Sequence, residues 1–144
     1  MIPYAALSHR WGLNEDFVMT KHNVEELQAG FSMNRLPKTF REAALITLGL
    51  GINYIWIDSV CIAQDKELDP EVDVLGTPME WLQESRRMAA VYGNAVLTIS
   101  AQDSFDSESG LFVQGLEPDE RNELDKRGWV MQVGEDACGL ELPR

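Results

Sequence analysis

Two groups of polar residues in this chain directly follow short apolar runs. Carboxyl, hydroxyl, imidazole and thiol groups at such places can act as general acids and bases, as nucleophiles or as ligand contacts. If the runs are parallel strands, the groups fall beyond the carboxyl ends of the sheet, where open α/β folds bind their ligands. The first group follows residues 4–7 and the second follows residues 52–57; their members are Ser8, His9 and Arg10, and then Asp58, Ser59, Cys61, Gln64 and Asp65.

The spacing does not support a serine hydrolase. The chain has no Gly-x-Ser-x-Gly motif, and Ser8 and His9, as neighbours on a strand, point to opposite faces. Cys61 could act as a nucleophile with His9 across neighbouring strand ends, although a cysteine between Val60 and Ile62 is more often a small buried residue. No glycine-rich loop follows any predicted strand, which excludes a dinucleotide fingerprint and a P-loop.

Two carboxylates have both a structural and a functional interpretation. Glu84 shares a helical stripe with Met88 and Val91, so we expect it to be partly desolvated. It then forms an ion pair with Arg10 that locks the helix to the sheet, or it contacts a ligand. Asp58 either caps the following turn through its neighbours' N–H groups or serves a ligand.

The elements that would position these residues alternate along the chain. Thr39 and Glu42 have the spacing of a capping box, which predicts a helix start, and Gly49 and Gly51 predict its end. The β-α-β-α-β order predicts a parallel sheet with right-handed crossovers. The predicted elements are a strand over 4–9, a short helix over 24–29, a helix over 39–48, a strand over 53–57, a helix over 79–94 and a strand over 95–101.

Charge and composition exclude several classes of function. The 144 residues carry a net charge of −12, which argues against nucleic acid as a partner because phosphates require Lys and Arg. No stretch is long and apolar enough to span a membrane, and no signal peptide is recognisable. Two cysteines are too few for a disulfide framework or a zinc site, and Pro70 interrupts the only faint calcium-loop pattern, over 65–73. We therefore expect a cytoplasmic protein without a metal.

Six segments of the sequence, in order, resemble the motifs of the heterokaryon incompatibility (HET) domain of filamentous fungi. The resemblance covers roughly residues 4–132, and so many motifs in the correct order make chance similarity a poor explanation. The segments are Tyr4–Gly12, Leu36–Phe40, Tyr54–Gln64, Met88–Ala95, Gly110–Phe112 and Arg127–Gln132.

The resemblance implies a role in nonself recognition and programmed cell death, through protein partners or self-association. It also implies an α/β fold with a parallel sheet and flanking helices, a three-layer architecture like that of flavodoxin and of Toll/interleukin-1 receptor (TIR) domains. Some TIR domains cleave NAD, which would make NAD a substrate and would require no resident cofactor. In that alternative Glu84 and Asp58 are the candidate catalytic residues, and the candidate binding residues are Ser8, Arg10, Trp11, Asp58, Gln64 and Trp129.

The sequence departs from the family at one informative position. The family motif continues from the position of Gln132 into a glutamate, which lies four residues after the tryptophan at 129, whereas this chain has Val133. Valine cannot stabilise the positive charge that develops when a glycosidic bond to nicotinamide breaks, and on a helix Glu135 would point elsewhere. We therefore assign residues 1–132 to the amino-terminal part of an incomplete HET domain. We interpret residues 133–144 as an unrelated tail, which an artefact of the gene model would explain.

Overall fold

A five-stranded mixed sheet with helices on both faces forms the fold in the computed structural model of the chain. The structure describes residues 2–13, 17–64, 79–111, 130–133 and 138–141. In chain order the elements are β1 (Ala5–Ser8), α1 (Val24–Ala29), a 3-10 turn (Met33–Arg35), α2 (Lys38–Gly49), β2 (Tyr54–Ile57), α3 (Asp58–Cys61), α4 (Met79–Asn94), β3 (Leu97–Ser100), β4 (Val130–Val133) and β5 (Cys138–Glu141).

The first three strands form the parallel sheet that the sequence predicts. Strand β1 is central and pairs in parallel with both β2 and β3, with Leu7 opposite Ile57 on one side and Ile99 on the other. The α/β architecture with flanking helices is therefore confirmed. Strands β4 and β5 extend the sheet beyond β2 in antiparallel pairing, in the order β3-β1-β2-β5-β4. Part of the segment 133–144 thus lies in the sheet, while the proposed domain boundary at residue 132 stays a prediction.

Alternation of side chains along β1 and β2 gives the sheet two apolar faces. Leu7 and Ile57 lie on the face where Phe40 of α2 packs, together with Ala43 and Ala44, all of them fully buried. Ala6 and Trp56 lie on the opposite face, against Met88, Val91 and Tyr92 of α4. The Trp56 and Tyr92 rings meet edge to face at 5.5 Å. Two helices on opposite faces make a three-layer arrangement.

The bounds of the predicted elements agree with the structure to within two residues, but the predicted start of α2 was wrong in its mechanism. Pro37 precedes the helix and no side chain caps it. Thr39 and Glu42 do not form a capping box, because both side chains are buried and bind another segment. The predicted end is confirmed: the N–H of Gly51 donates to the Leu48 carbonyl, and its φ of 74° is one that glycine adopts without strain.

Candidate functional site

Polar side chains that follow β1 and β2 along the chain meet beyond the carboxyl ends of these strands, as the sequence predicts. The indole Nε1 of Trp11 donates a hydrogen bond of 2.9 Å to Oδ2 of Asp58. His9 Nδ1 lies 3.5 Å from Oδ1 of the same carboxylate. Because β1 and β2 are parallel neighbours, residues that are about 50 positions apart in sequence become adjacent here. We refer to His9, Trp11 and Asp58 as the strand-end cluster.

His9 is the innermost member of the strand-end cluster. Its side chain has an exposed fraction of 0%, and its ring stacks on Trp11 at 6.3 Å and meets the Phe40 ring edge-on at 4.7 Å. Burial lowers the pKa of His9 below its ordinary value of 6.5, and the negative charge of Asp58 opposes that shift. A neutral imidazole beside a carboxylate could transfer a proton, but no substrate atom reaches a fully buried ring in this conformation.

Asp58 has contacts on both of its carboxylate oxygens. Besides Trp11 and His9, the backbone N–H of Ser59 donates to Oδ1 at 2.7 Å. The bond runs to the N–H of a neighbouring residue, as in the interpretation of Asp58 as a cap, but Asp58 is the first residue of the short helix α3 and no side chain caps that helix. The side chain is 15% exposed. Asp58 therefore joins the two strand ends and starts α3.

Tyr92 joins α4 to the same part of the sheet and was not among the predicted site residues. Its hydroxyl donates to the Leu7 carbonyl at 3.3 Å. Burial raises the pKa of Tyr92, the nearby charge of Asp58 raises it further, and a hydrogen bond with Ser8 works in the other direction. The sequence signal for Tyr92 was its place on the apolar face of α4, which indicates packing and not proximity to a carboxylate.

The second candidate carboxylate lies outside the strand-end cluster. Glu84 Oε1 accepts a hydrogen bond of 3.0 Å from Arg87 Nη1, one turn further along α4. The predicted pair between Glu84 and Arg10 is therefore wrong, and Arg10 is exposed. The physical reason is local: residues three positions apart on a helix are neighbours on its surface, so Arg87 reaches Glu84 without any contribution from the sheet.

The remaining predicted site residues are dispersed. Ser8 is half-buried, and its carbonyl accepts a hydrogen bond from Ala101. Gln64 makes two hydrogen bonds to backbone carbonyls: its side chain donates to the Ile62 carbonyl, and its backbone N–H donates to the Met19 carbonyl. Cys61 is half-buried and packs with the α4 face of the core. Asp65 and Trp129 lie outside the described residues.

The polar contacts of Thr39 and Glu42 form a second cluster, which the sequence did not reveal. Thr39 Oγ1 donates to the Asp106 carbonyl at 3.2 Å and accepts from the N–H of Gly110 at 3.0 Å. Glu42 Oε2 accepts from the N–H of Leu111 at 2.7 Å. In addition, the N–H of Thr39 donates to the Ser107 carbonyl. This Thr39–Glu42 clasp fixes the loop 101–111 against the start of α2.

Gly110 is required at the clasp for two reasons. Its φ of 84° is one that side chains other than glycine rarely adopt. A Cβ atom there would also lie 2.8 Å from Lys38 Cε and 2.9 Å from Glu42 Oε2. The glycine of the Gly110–Phe112 motif therefore allows the loop to approach α2 closely.

Metal binding and membrane insertion find no support in the described part of the chain. No three His, Cys, Asp or Glu side chains are placed there to hold a metal ion. Among the same residues, no helix combines the length and apolar character that crossing a bilayer requires.

Comparison with protein families gives one match. The family described as "Heterokaryon incompatibility protein (HET)" matches residues 4–131. No curated protein and no solved structure matches the chain. The matched range contains the strand-end cluster and the Thr39–Glu42 clasp, together with all of the parallel part of the sheet.

Proposed function

The chain belongs to the heterokaryon incompatibility (HET) family, and from this membership we propose that it acts in fungal nonself recognition and programmed cell death. In this proposal it is a cytoplasmic, TIR-like signalling module that works by self-association or by binding protein partners. The family supplies the biological role, and the state of the two candidate carboxylates favours signalling over catalysis.

One observation carries that preference: both candidate carboxylates are engaged within the chain. Asp58 accepts hydrogen bonds from Trp11 and Ser59, and Glu84 pairs with Arg87. A carboxylate that stabilises developing positive charge in a substrate must lie against that substrate. Both oxygens of Asp58 and Oε1 of Glu84 therefore already have contacts within the chain.

NAD cleavage is the second candidate function. It is favoured by one observation, that the candidate binding residue Trp11 donates a hydrogen bond to the candidate catalytic residue Asp58. Against it stands Val133, where the family motif has glutamate. The structure also corrects the assumption, made for the position of Glu135, that this segment is helical, because Val130–Val133 is a strand. Glu135 lies outside the described residues.

Induced expression in a filamentous fungal host tests the proposal. We expect the chain to arrest growth and cause cell death, and the purified chain to release no nicotinamide from NAD. Asp58→Asn should weaken killing because it disturbs the strand-end cluster, whereas the matched control Asp103→Asn, on an exposed side chain, should kill as the wild type does.

Two results would contradict this assignment. Accumulation of soluble chain without any effect on growth or viability would overturn the role in cell death. Release of nicotinamide that is abolished by Asp58→Asn or Glu84→Gln would overturn the preference for signalling and establish the glycohydrolase.

A further inference from the structure

Strand β3 ends the sheet on one side, and among the described residues its only neighbouring strand is β1. The N–H of Ala101, just after β3, donates to the Ser8 carbonyl of β1 at 2.8 Å. Alternate residues of a strand direct their backbone N–H and C=O groups to the same side. Ile99 therefore also faces β1, whereas the N–H and C=O groups of Thr98 and Ser100 point away from it. We call this side, formed by the backbone of Thr98 and Ser100, the outer edge of β3.

The outer edge of β3 is accessible and carries none of the usual protection of an edge strand. Thr98 and Ser100 are exposed, and Val96, just before the strand, is 59% exposed. Monomeric proteins protect such edges with charged residues, above all lysine, or with proline. Residues 94–102 include neither a charged residue nor a proline, and the strand is rich in residues that favour extended structure. This edge can therefore accept a further strand.

The outward groups of β3 are complementary to a second copy of the same strand in antiparallel orientation. When the two strands are centred on Ile99, Thr98 of each copy lies opposite Ser100 of the other. Each such pair exchanges two backbone hydrogen bonds, which makes four in total. The hydroxyl side chains of Thr98 and Ser100 then lie side by side on one face. The two half-buried Ile99 side chains meet at the centre of the other face, in the closer type of cross-strand pair.

Charge favours this strand and this orientation for a contact between copies. The chain has a net charge of −12, which opposes contact between two copies in general, but residues 94–102 contribute nothing to it. The acidic residues Asp103 and Asp106 follow β3. Parallel pairing would place these acids of the two copies side by side, whereas antiparallel pairing places them at opposite ends of the contact.

We propose that the outer edge of β3 pairs with the same edge of a second copy, antiparallel and centred on Ile99. This inference rests on the self-association in the proposed function and names the surface that mediates it. A two-fold axis at Ile99 relates the two copies, so the contact closes as a dimer. The two five-stranded sheets thereby join into one continuous sheet.

Thr98→Pro tests the hydrogen bonds of the contact by sedimentation velocity over a range of concentrations. Proline removes the outward N–H and places its ring where the second strand must lie, while the groups that bind β1 belong to other residues. The association constant should fall by at least about tenfold. An unfolding transition establishes that the variant is folded, and the charge variants described next serve where it is not.

Two double variants test the register, because Thr98 and Ser100 are opposite each other only in the antiparallel contact. Thr98→Lys with Ser100→Lys, the like-charge variant, should lower the association constant by at least about fivefold. Thr98→Lys with Ser100→Glu, the opposite-charge variant, should associate at least as strongly as the wild type does. Gln28→Lys with Ala29→Lys, at exposed positions of α1, adds the same charge elsewhere and should not weaken association.

Amide exchange followed by NMR gives a second readout. In the monomer the amides of Thr98 and Ser100 should exchange fast, since they point outward, whereas the amide of Ile99 is protected by β1. Raising the protein concentration should slow exchange at Thr98 and Ser100 in the wild type. It should have no such effect on Ser100 in Thr98→Pro.

The contrary results are distinct from failure of the proposed function. Association that Thr98→Pro and the like-charge variant leave unchanged would overturn the role of β3 and leave self-association standing. Equal weakening by both charge variants would overturn the antiparallel register. Slow exchange at Thr98 and Ser100 in a monomer would overturn the contact, because the chain would then cover this edge itself.

A wild type that is monomeric at every concentration yet kills the fungal host would overturn self-association, and this contact with it, but not the role in cell death. Loss of that killing in a folded Thr98→Pro variant would then assign the outer edge of β3 to a strand of a different protein.

Discussion

Replacing Thr39 by valine should reveal how strongly the clasp stabilises the fold. Valine has the shape of threonine and a similar helix propensity, so the change removes only the hydroxyl group. That hydroxyl makes two hydrogen bonds to the loop, one to the Asp106 carbonyl and one from the buried N–H of Gly110. Loss of the bond to the Asp106 carbonyl costs about 1 kcal/mol net, and leaving the Gly110 N–H unpaired costs about 1–3 kcal/mol. We expect Thr39→Val to lower the free energy of unfolding by about 2–4 kcal/mol.

Thr47 provides a matched control in the same helix. It is also fully buried, but its hydroxyl donates to the Ala43 carbonyl one turn earlier, at 2.8 Å. That carbonyl keeps its helical backbone partner when the hydroxyl is removed. Thr47→Val therefore leaves no backbone group unpaired, and it should change the free energy of unfolding by less than about 1 kcal/mol.

Urea unfolding of both variants, followed by far-UV circular dichroism, measures the difference. With an m-value of about 2 kcal/mol/M, Thr39→Val should lower the midpoint by about 1–2 M while m is unchanged. Amide exchange at Gly110 should accelerate in Thr39→Val and stay slow in Thr47→Val. Equal destabilisation by the two substitutions, or unchanged exchange at Gly110, would refute the assignment of the clasp.

Three further predictions concern single side chains. Because burial holds the pKa of His9 below 6.5, the unfolded chain binds more protons in acid; the free energy of unfolding should fall as pH drops below about 6.5, and His9→Asn should reduce that pH dependence while His22→Asn, at an exposed position, should not. The Ser59 hydroxyl is buried and has no hydrogen-bond partner among the described residues, so Ser59→Ala should leave the thermal midpoint unchanged or higher, and a clear drop would contradict this. Glu84→Gln breaks only a partly exposed pair with Arg87, so the free energy of unfolding measured in urea should change by less than about 0.5 kcal/mol. A loss of about 1–3 kcal/mol would instead support the buried ion pair that the sequence predicts.

Local sequence patterns were sufficient for the elements up to β3, apart from the 3-10 turn and the short helix α3, and for one part of the site. The run 54–57 and the stripe of Met88 and Val91 predict a strand and a helix, because apolar periodicity reflects which face is buried. The order of these elements places the ends of β1 and β2 at one edge of a parallel sheet. From that placement alone, Asp58 and Trp11 could be expected to lie close together.

The same local patterns led to wrong predictions where the spacing of a polar residue was compatible with two different sets of contacts. Thr39 and Glu42 have the spacing of a capping box, yet both side chains bind a loop that follows β3. Glu84 has the spacing of a buried helical residue, but its side chain is partly exposed and pairs with Arg87 on the same helix. Spacing determines the face of a helix on which a residue lies, but not what the fold brings to that face.

The sequence by itself determined the family, the three parallel strands with helices α1, α2 and α4, and the polar character of the strand ends, because these depend on residues close together along the chain. The antiparallel strands β4 and β5 were not predicted. The tertiary structure alone decided the partners of the polar groups. Trp11 meets Asp58 from 47 positions away, and the Leu111 amide meets Glu42 from 69 positions away. It also decided that His9 is buried between Trp11 and Phe40, where burial lowers its pKa. Desolvation of an ionisable group depends on the packing around it, and that packing comes from distant parts of the chain.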